Sequence, residues 1–135
     1  HVTVAHLAPH TDSKELFRGV IDDKARAVFN GRIYVQQDAQ KVTADLTNNN
    51  ILLTSTAEVD TKPELEIYAD DVKCAHGSTT GQLSPEEIFY LQTRGIDSIK
   101  SAKMIARGFA YDVVRKLENE QVKSKLIAHL DKVEF

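Results

Sequence analysis

A chain of 135 residues is long enough for one domain, or for two small layers around a moderate core. It is 41% hydrophobic and 27% charged with a formal net charge of −3, and that mildly acidic balance argues against a general nucleic-acid binder, whose phosphate contacts need clustered Lys and Arg. No run approaches the roughly 18 consecutive apolar residues of a membrane span, so a membrane partner is not expected. The single cysteine cannot close an internal disulfide, which fits a reducing compartment and makes the cytoplasm the expected location. The chain starts at His1, its only methionine is Met104, and no charged stretch leads into an apolar leader. An excerpt of a longer protein is the expected explanation.

The first part has the grammar of strands. His1-Val2-Thr3-Val4-Ala5-His6-Leu7 alternates, as does Arg32-Ile33-Tyr34-Val35-Gln36. Leu16 to Ile21, Ile51 to Thr54 and Leu65 to Tyr68 are further short runs of strand-favouring residues. Turn signals separate them: Asp22-Asp23, Asn30-Gly31, Asn48-Asn49-Asn50 and Lys62-Pro63. Nine of the ten threonines fall before residue 84, and their branched β-carbon suits a pleated surface better than a helix. Asn30-Gly31 suits a two-residue hairpin or a tight bend between stacked rungs, because both residues take positive φ cheaply. No helix-period stretch separates the strands, so βαβ units are not expected. A sandwich and a solenoid both remain open, and no repeat of fixed period is visible.

After Gly81 the pattern becomes helical. Ser84-Pro85-Glu86-Glu87 combines an N-cap serine, proline at the first helical position and glutamate at the third. Ile88 to Arg94 follows, and Gly95 is a stop. Asp97 or Ser98 caps a second helix whose apolar residues Ile99, Ala102, Ala106, Phe109 and Val113 recur every three or four positions. Gly108 inside that run costs about 1 kcal/mol relative to alanine, so it marks a kink or a close contact with another helix. Val122, Leu126, Leu130 and Val133 give a last amphipathic stripe. The expected class is therefore α+β, strands over 1–83 and a helical domain over 84–135.

Several constellations bear on chemistry. Cys74 and His76 are one residue apart, so on a strand both point to the same face. Both are ligands for soft transition metals, yet two ligands do not complete a site that needs four. The same spacing suits a buried thiol beside a hydrogen-bonded imidazole. Asp70 and Asp71 read as a strand-edge turn; the rival use would be a small metal-dependent enzyme built on His76 with one of them. His76-Gly77-Ser78-Thr79-Thr80-Gly81 lacks the lysine and spacing of a phosphate loop. His1, His6 and His10 share no face and read as incidental, and His129 reads as solvated. Ile88-Phe89-Tyr90-Leu91 is apolar on more than one helix face, either for core packing or for docking a partner.

At the level of residue identity the chain resembles the C-terminal region of the SufB/SufD family, scaffold components of the SUF machinery that assembles iron–sulfur clusters. The resemblance rests on Glu58-Val59-Asp60-Thr61-Lys62-Pro63, on Leu65 through Cys74, and on His76-Gly77, Gly81-Gln82-Leu83, Phe89-Tyr90-Leu91 and Arg94-Gly95-Ile96. Arg18-Gly19, Phe29-Asn30-Gly31 and Gln40-Lys41 extend it upstream. Lys73-Cys74-Ala75-His76-Gly77 and Asn48-Asn49-Asn50-Ile51-Leu52-Leu53 look closer to SufD than to SufB. The resemblance implies the last rungs of a parallel β-helix followed by a small helical domain. It implies a non-catalytic scaffold with two partners, a SufB-type subunit pairing through the terminal strands and a SufC-type ATPase docking on the helices, for which Phe89, Tyr90 and Arg94 are the positions expected to matter. It also implies that His76, with Cys74 as a second candidate, contributes ligands to a transient iron–sulfur cluster shared with the partner subunit and not bound by the isolated chain. A β-helix cut across its rungs exposes an unpaired edge, so self-association of the fragment is expected.

Overall fold

The computed structural model describes residues 1–133; the last two residues of the expected helical domain lie outside them. Six strands come first: β1 (Val2–His6), β2 (Asp12–Ile21), β3 (Arg26–Val35), β4 (Thr43–Leu52), β5 (Glu58–Ile67) and β6 (Lys73–Gln82). Three helices follow: α1 (Pro85–Gln92), α2 (Ser98–Arg115) and α3 (Glu120–Leu130). The class is α+β.

Odd and even strands separate into two three-stranded sheets, ordered β1-β3-β5 and β2-β4-β6. β1 and β3 are parallel, Val2 opposite Gly31 and His6 opposite Val35. The other pairs are parallel too, because the same offset holds at both ends. Thr43 N–H donates to the Thr11 carbonyl and Leu53 N–H to that of Ile21; Glu58 N–H donates to Ala25 and Tyr68 N–H to Val35. Side chains one step apart in a sheet are therefore about thirty residues apart in sequence, 30 for Lys41–Asp71 and 34 for Arg32–Glu66. Alternation alone maintains that register, which is why the period leaves no repeat of residue identity.

Three expected turns are strand interior instead. β3 runs straight through Asn30-Gly31. Gly31 is buried against neighbours, and a β-carbon there would meet the Leu46 and Phe29 side chains at 2.8 Å, so glycine serves close packing and not positive φ. Asn48-Asn49-Asn50 lies in β4, with Asn48 and Asn50 buried. The Thr61 hydroxyl donates to Asn48 Oδ1 at 2.7 Å and the Thr79 hydroxyl to Asn49 Oδ1 at 2.9 Å, which satisfies amides that would otherwise be costly inside a sheet. Lys62-Pro63 lies in β5, an edge strand, where the missing proline N–H is tolerated. In the strand region the left-handed positions among the described residues fall on His10, Asp23 and Lys41, of which Asp23 alone belongs to a signalled turn. Ile51 to Thr54 is likewise the end of β4 running into a bend, not a separate strand.

The chain divides into two compact units. The first comprises His1–Phe17, Arg26–Asn49 and Val59–Thr79. Its core is formed by Ile33 and Val35 of β3 and Ala44 and Leu46 of β4, with Ala39, Val42 and Ala69 from the bends. His6 belongs to this unit and is no incidental residue: it is buried, its ring nitrogens 2.7 Å from the Thr11 hydroxyl and 2.9 Å from that of Ser13.

The second unit comprises Arg18–Ala25, Asn50–Glu58 and Thr80–Phe135. Ser84 caps α1, accepting from Glu87 N–H with Pro85 behind it, as its sequence requires. Gly95 takes φ +82° after the helix and its N–H donates to Gln92, the left-handed stop that glycine supplies without strain. Asp97 caps α2 through Lys100 N–H, and Asn119 caps α3 through Gln121 and Val122. Ser101, Ala106 and Val114 are the buried residues of α2, whereas α1 and α3 bury none. Gly108 has no neighbour within 4 Å of an added β-carbon, so no close contact among the described residues accounts for it.

Candidate functional site

β6 holds Cys74 and His76. It is an edge strand of β2-β4-β6, so along its free side no strand among the described residues pairs with its N–H and C=O groups. In β4 the even positions Ala44, Leu46, Asn48 and Asn50 are buried. Thr79 stands opposite Asn49, both at odd positions, so the even positions of β6 continue the buried face. Cys74 is the first of them, half-buried and packed against the core cluster. His76 is the next, about 7 Å further along the strand, and it is exposed. The strand thus presents an imidazole on a core-directed face where no further strand covers it.

The two side chains differ in availability. Burial pushes the Cys74 thiol up from its ordinary value, against a hydrogen bond with the Ala44 backbone that pulls it down. The thiol is therefore held protonated, the weaker form for binding metal. Asp71, at the bend before β6, is ion-paired with Lys41, and its N–H donates to the Gln40 side chain at 2.9 Å. It is committed to the bend and not gathered with His76. Among the described residues no group of three or more His, Cys, Asp or Glu is placed to hold a metal ion.

The helical residues form a second place of interest. Phe89 and Tyr90 are exposed on α1, 66% and 58%. Arg94 lies 5.0 Å over the Tyr90 ring and donates to its hydroxyl at 3.3 Å. Beside them an open groove of about 400 Å³ is lined by Tyr90, Leu91 and Ile105, with Glu86 and Glu87 at one side. Of the two uses open to Ile88 through Leu91, the apolar side chains of Phe89 and Tyr90 face outward.

The family model described as "SUF system FeS cluster assembly, SufBD core domain" matches residues 1–109. The chain belongs to the SufBD core family. It is 48% identical over 125 residues to the iron–sulfur cluster assembly protein SufD of Escherichia coli, which covers 93% of this chain and 30% of that protein. It is 37% identical over 126 residues to the SufBD family protein slr0076 of Synechocystis, covering 93% of the chain and 28% of the relative. With the SufD of Bacillus subtilis it shares 30% over 129 residues, 96% of the chain and 30% of the relative. The likeness is closer to SufD, and the chain spans about 30% of the length of these relatives. No helix of this SufBD-family chain, among the described residues, is long and apolar enough to cross a membrane.

Two features of the site went unread in the sequence. Ser78 and Thr80 share the face of Cys74 and His76, a fact the period of two would have given once Gly77 was accepted as strand. Ile105 of α2, which lines the α1 groove, carried no signal because the apolar stripe of α2 was matched to other residues.

Proposed function

We propose that the chain is the C-terminal part of a non-catalytic SufD-like scaffold subunit for iron–sulfur cluster assembly. Residues 1–83 act as the last rungs of a parallel β-helix and residues 84–135 as a helical docking domain. β6, as a free edge, pairs with a SufB-type subunit, and α1 with the following turn docks a SufC-type ATPase through Phe89, Tyr90 and Arg94. Such a complex would work in a reducing compartment, the cytoplasm in bacteria.

The observation that carries this reading is the exposed His76 on an edge strand, facing the direction of the core. An imidazole there is one ligand of a set that a second polypeptide completes, with Cys74 as a weaker second donor from this chain. The cluster is cargo. Few ligands from each partner make it easy to build and to hand on. The groove beside Tyr90 and the exposed Phe89 support docking on α1, since outward apolar side chains gain most by being covered.

The test replaces His76 by Ala in the full-length subunit and isolates its complex with a SufB-type partner. Iron and acid-labile sulfide in the purified complex should fall by at least tenfold while subunit stoichiometry stays the same. Unchanged iron and sulfide would remove the ligand role, and loss of pairing would reassign His76 to the interface itself.

A further inference from the structure

An open groove of about 420 Å³ lies on the outward side of the first unit, where β3 and β5 run into their bends. Tyr34, Gln36, Gln37, Asp38, Glu66 and Tyr68 line it. The register brings them together. Tyr68 N–H donates to the Val35 carbonyl, the offset at which Tyr34 stands opposite Glu66 and Gln36 opposite Tyr68. Ile33 and Val35 point into the core, so Tyr34 between them points out.

One wall of the groove is held in place and the other is unsatisfied. Tyr68 is 56% exposed, yet its hydroxyl donates to Glu66 Oε1 at 2.8 Å and its ring meets that of Tyr34, centroids 5.8 Å apart and planes tilted by 58°. A ring already fixed loses little freedom when a ligand covers it. Arg32 holds the other oxygen of Glu66 at 3.0 Å, so that charge is compensated. Asp38 is not: among the described residues its carboxylate has no ion pair, and the side-chain amides of Gln36 and Gln37 beside it have no partner either. No Lys or Arg lines the groove.

The complement of such a set is a cation. A phenol that donates to a carboxylate has a more electron-rich ring, and an exposed aromatic face attracts an ammonium. An ammonium has three N–H donors and no acceptor, and Asp38 with the carbonyl oxygens of the two amides supplies acceptors from one bend. We propose that this groove binds a primary ammonium on an aliphatic stem, the stem lying on the Tyr68 ring and the charged end at Asp38. A lysine side chain of another polypeptide and a free polyamine share that chemistry. The site does not depend on the role of His76 or on the Tyr90 groove.

Saturation-transfer NMR on the full-length subunit tests it with three probes: N-acetyl-lysine methylamide, spermidine, and N-acetyl-norleucine methylamide, which keeps the stem without the charge. The lysine derivative or spermidine should take up saturation on the methylenes next to nitrogen, with an affinity that falls as salt rises. The norleucine derivative should take up none. Asp38→Asn should weaken binding at least tenfold at unchanged Tm, because it alters only the charge of an exposed bend residue. Tyr68→Leu should weaken it as well. Stronger saturation of the lysine derivative assigns the groove to a polypeptide side chain and stronger saturation of spermidine to a free polyamine, and either result supports the shared chemistry. Equal saturation of the norleucine derivative, binding that Asp38→Asn leaves unchanged, or saturation of no probe would each overturn the proposal.

Discussion

The central strands and the helices of this chain differ in how much apolar side chain they bury. Ile33, Val35 and Leu46 are fully buried and Val42 nearly so, all on β3 and β4 or the bend between them. On the helices Phe89, Tyr90, Ile99, Met104, Val122 and Leu126 remain exposed, and α1 and α3 bury no residue at all. The strands are thus held by a core they share, whereas the helices depend on their caps and on Ser101, Ala106 and Val114. Elements drawn from the weakly held end of a fold are the ones free to adapt to a partner. The division contrasts strands that share a packed core with helices whose large apolar side chains stand outward.

The largest effect that would sharpen this comparison lies in the strand core. Leu46→Ala removes a fully buried side chain that β3 and β4 share, at a cost of about 2–5 kcal/mol. Phe89→Ala on α1 should change stability by no more than about 0.5 kcal/mol, since the ring is largely in water already. Urea unfolding of the two variants measures both. Comparable losses would mean that the helices share the cooperative core, and the contrast drawn above would fail.

A smaller and local effect belongs to the caps. Ser84→Ala removes the acceptor of Glu87 N–H and should cost about 1 kcal/mol, concentrated in α1. Amide exchange should speed up over α1 and stay unchanged in β3. Equal acceleration in both would show that α1 does not open by itself.

What the sequence discloses follows the same division. Helix ends are written in local chemistry, so Ser84-Pro85, Gly95 and Asp97 could be read as they stand. Strand boundaries here are written in contacts some thirty residues away. Gly31 and Asn48 looked like turn residues because the side chain of Leu46 and the hydroxyl of Thr61, which help to explain them, are not sequence neighbours. His10 and Lys41 carry bends in the left-handed region at positions outside the turns the sequence signalled. The spacing of Cys74 and His76 was legible, and so was their common face. That β6 is an edge, so that His76 is exposed where Leu46 is buried, depends on strand order, which the residue pattern does not give and only the family resemblance implied.

The mildest effect is a pH dependence of the way α2 is held. The Arg18 guanidinium reaches Asp112 Oδ2 at 2.8 Å and lies 4.6 Å over the Phe109 ring, joining the end of β2 to α2. The hydrogen bond from Arg18, and after it that from Lys116, holds the Asp112 carboxyl below its ordinary value of 3.8. A carboxylate with a depressed folded-state value contributes its stability fully above the unfolded value and loses it as pH falls through the folded one. The contribution should therefore be constant from neutrality down to the ordinary carboxylate range and be lost only as pH falls through the lowered folded-state value. Asp112→Asn separates this from general acid effects. At pH 7 the variant should show faster amide exchange than wild type in the last turns of α2, together with a shifted Phe109 ring resonance. As pH falls through the lowered folded-state value the two proteins should converge there, because the wild-type carboxyl then becomes neutral as well. A difference that persists unchanged at low pH would mean that the asparagine acts through packing, and that the Arg18 contact does not hold the helix by its charge.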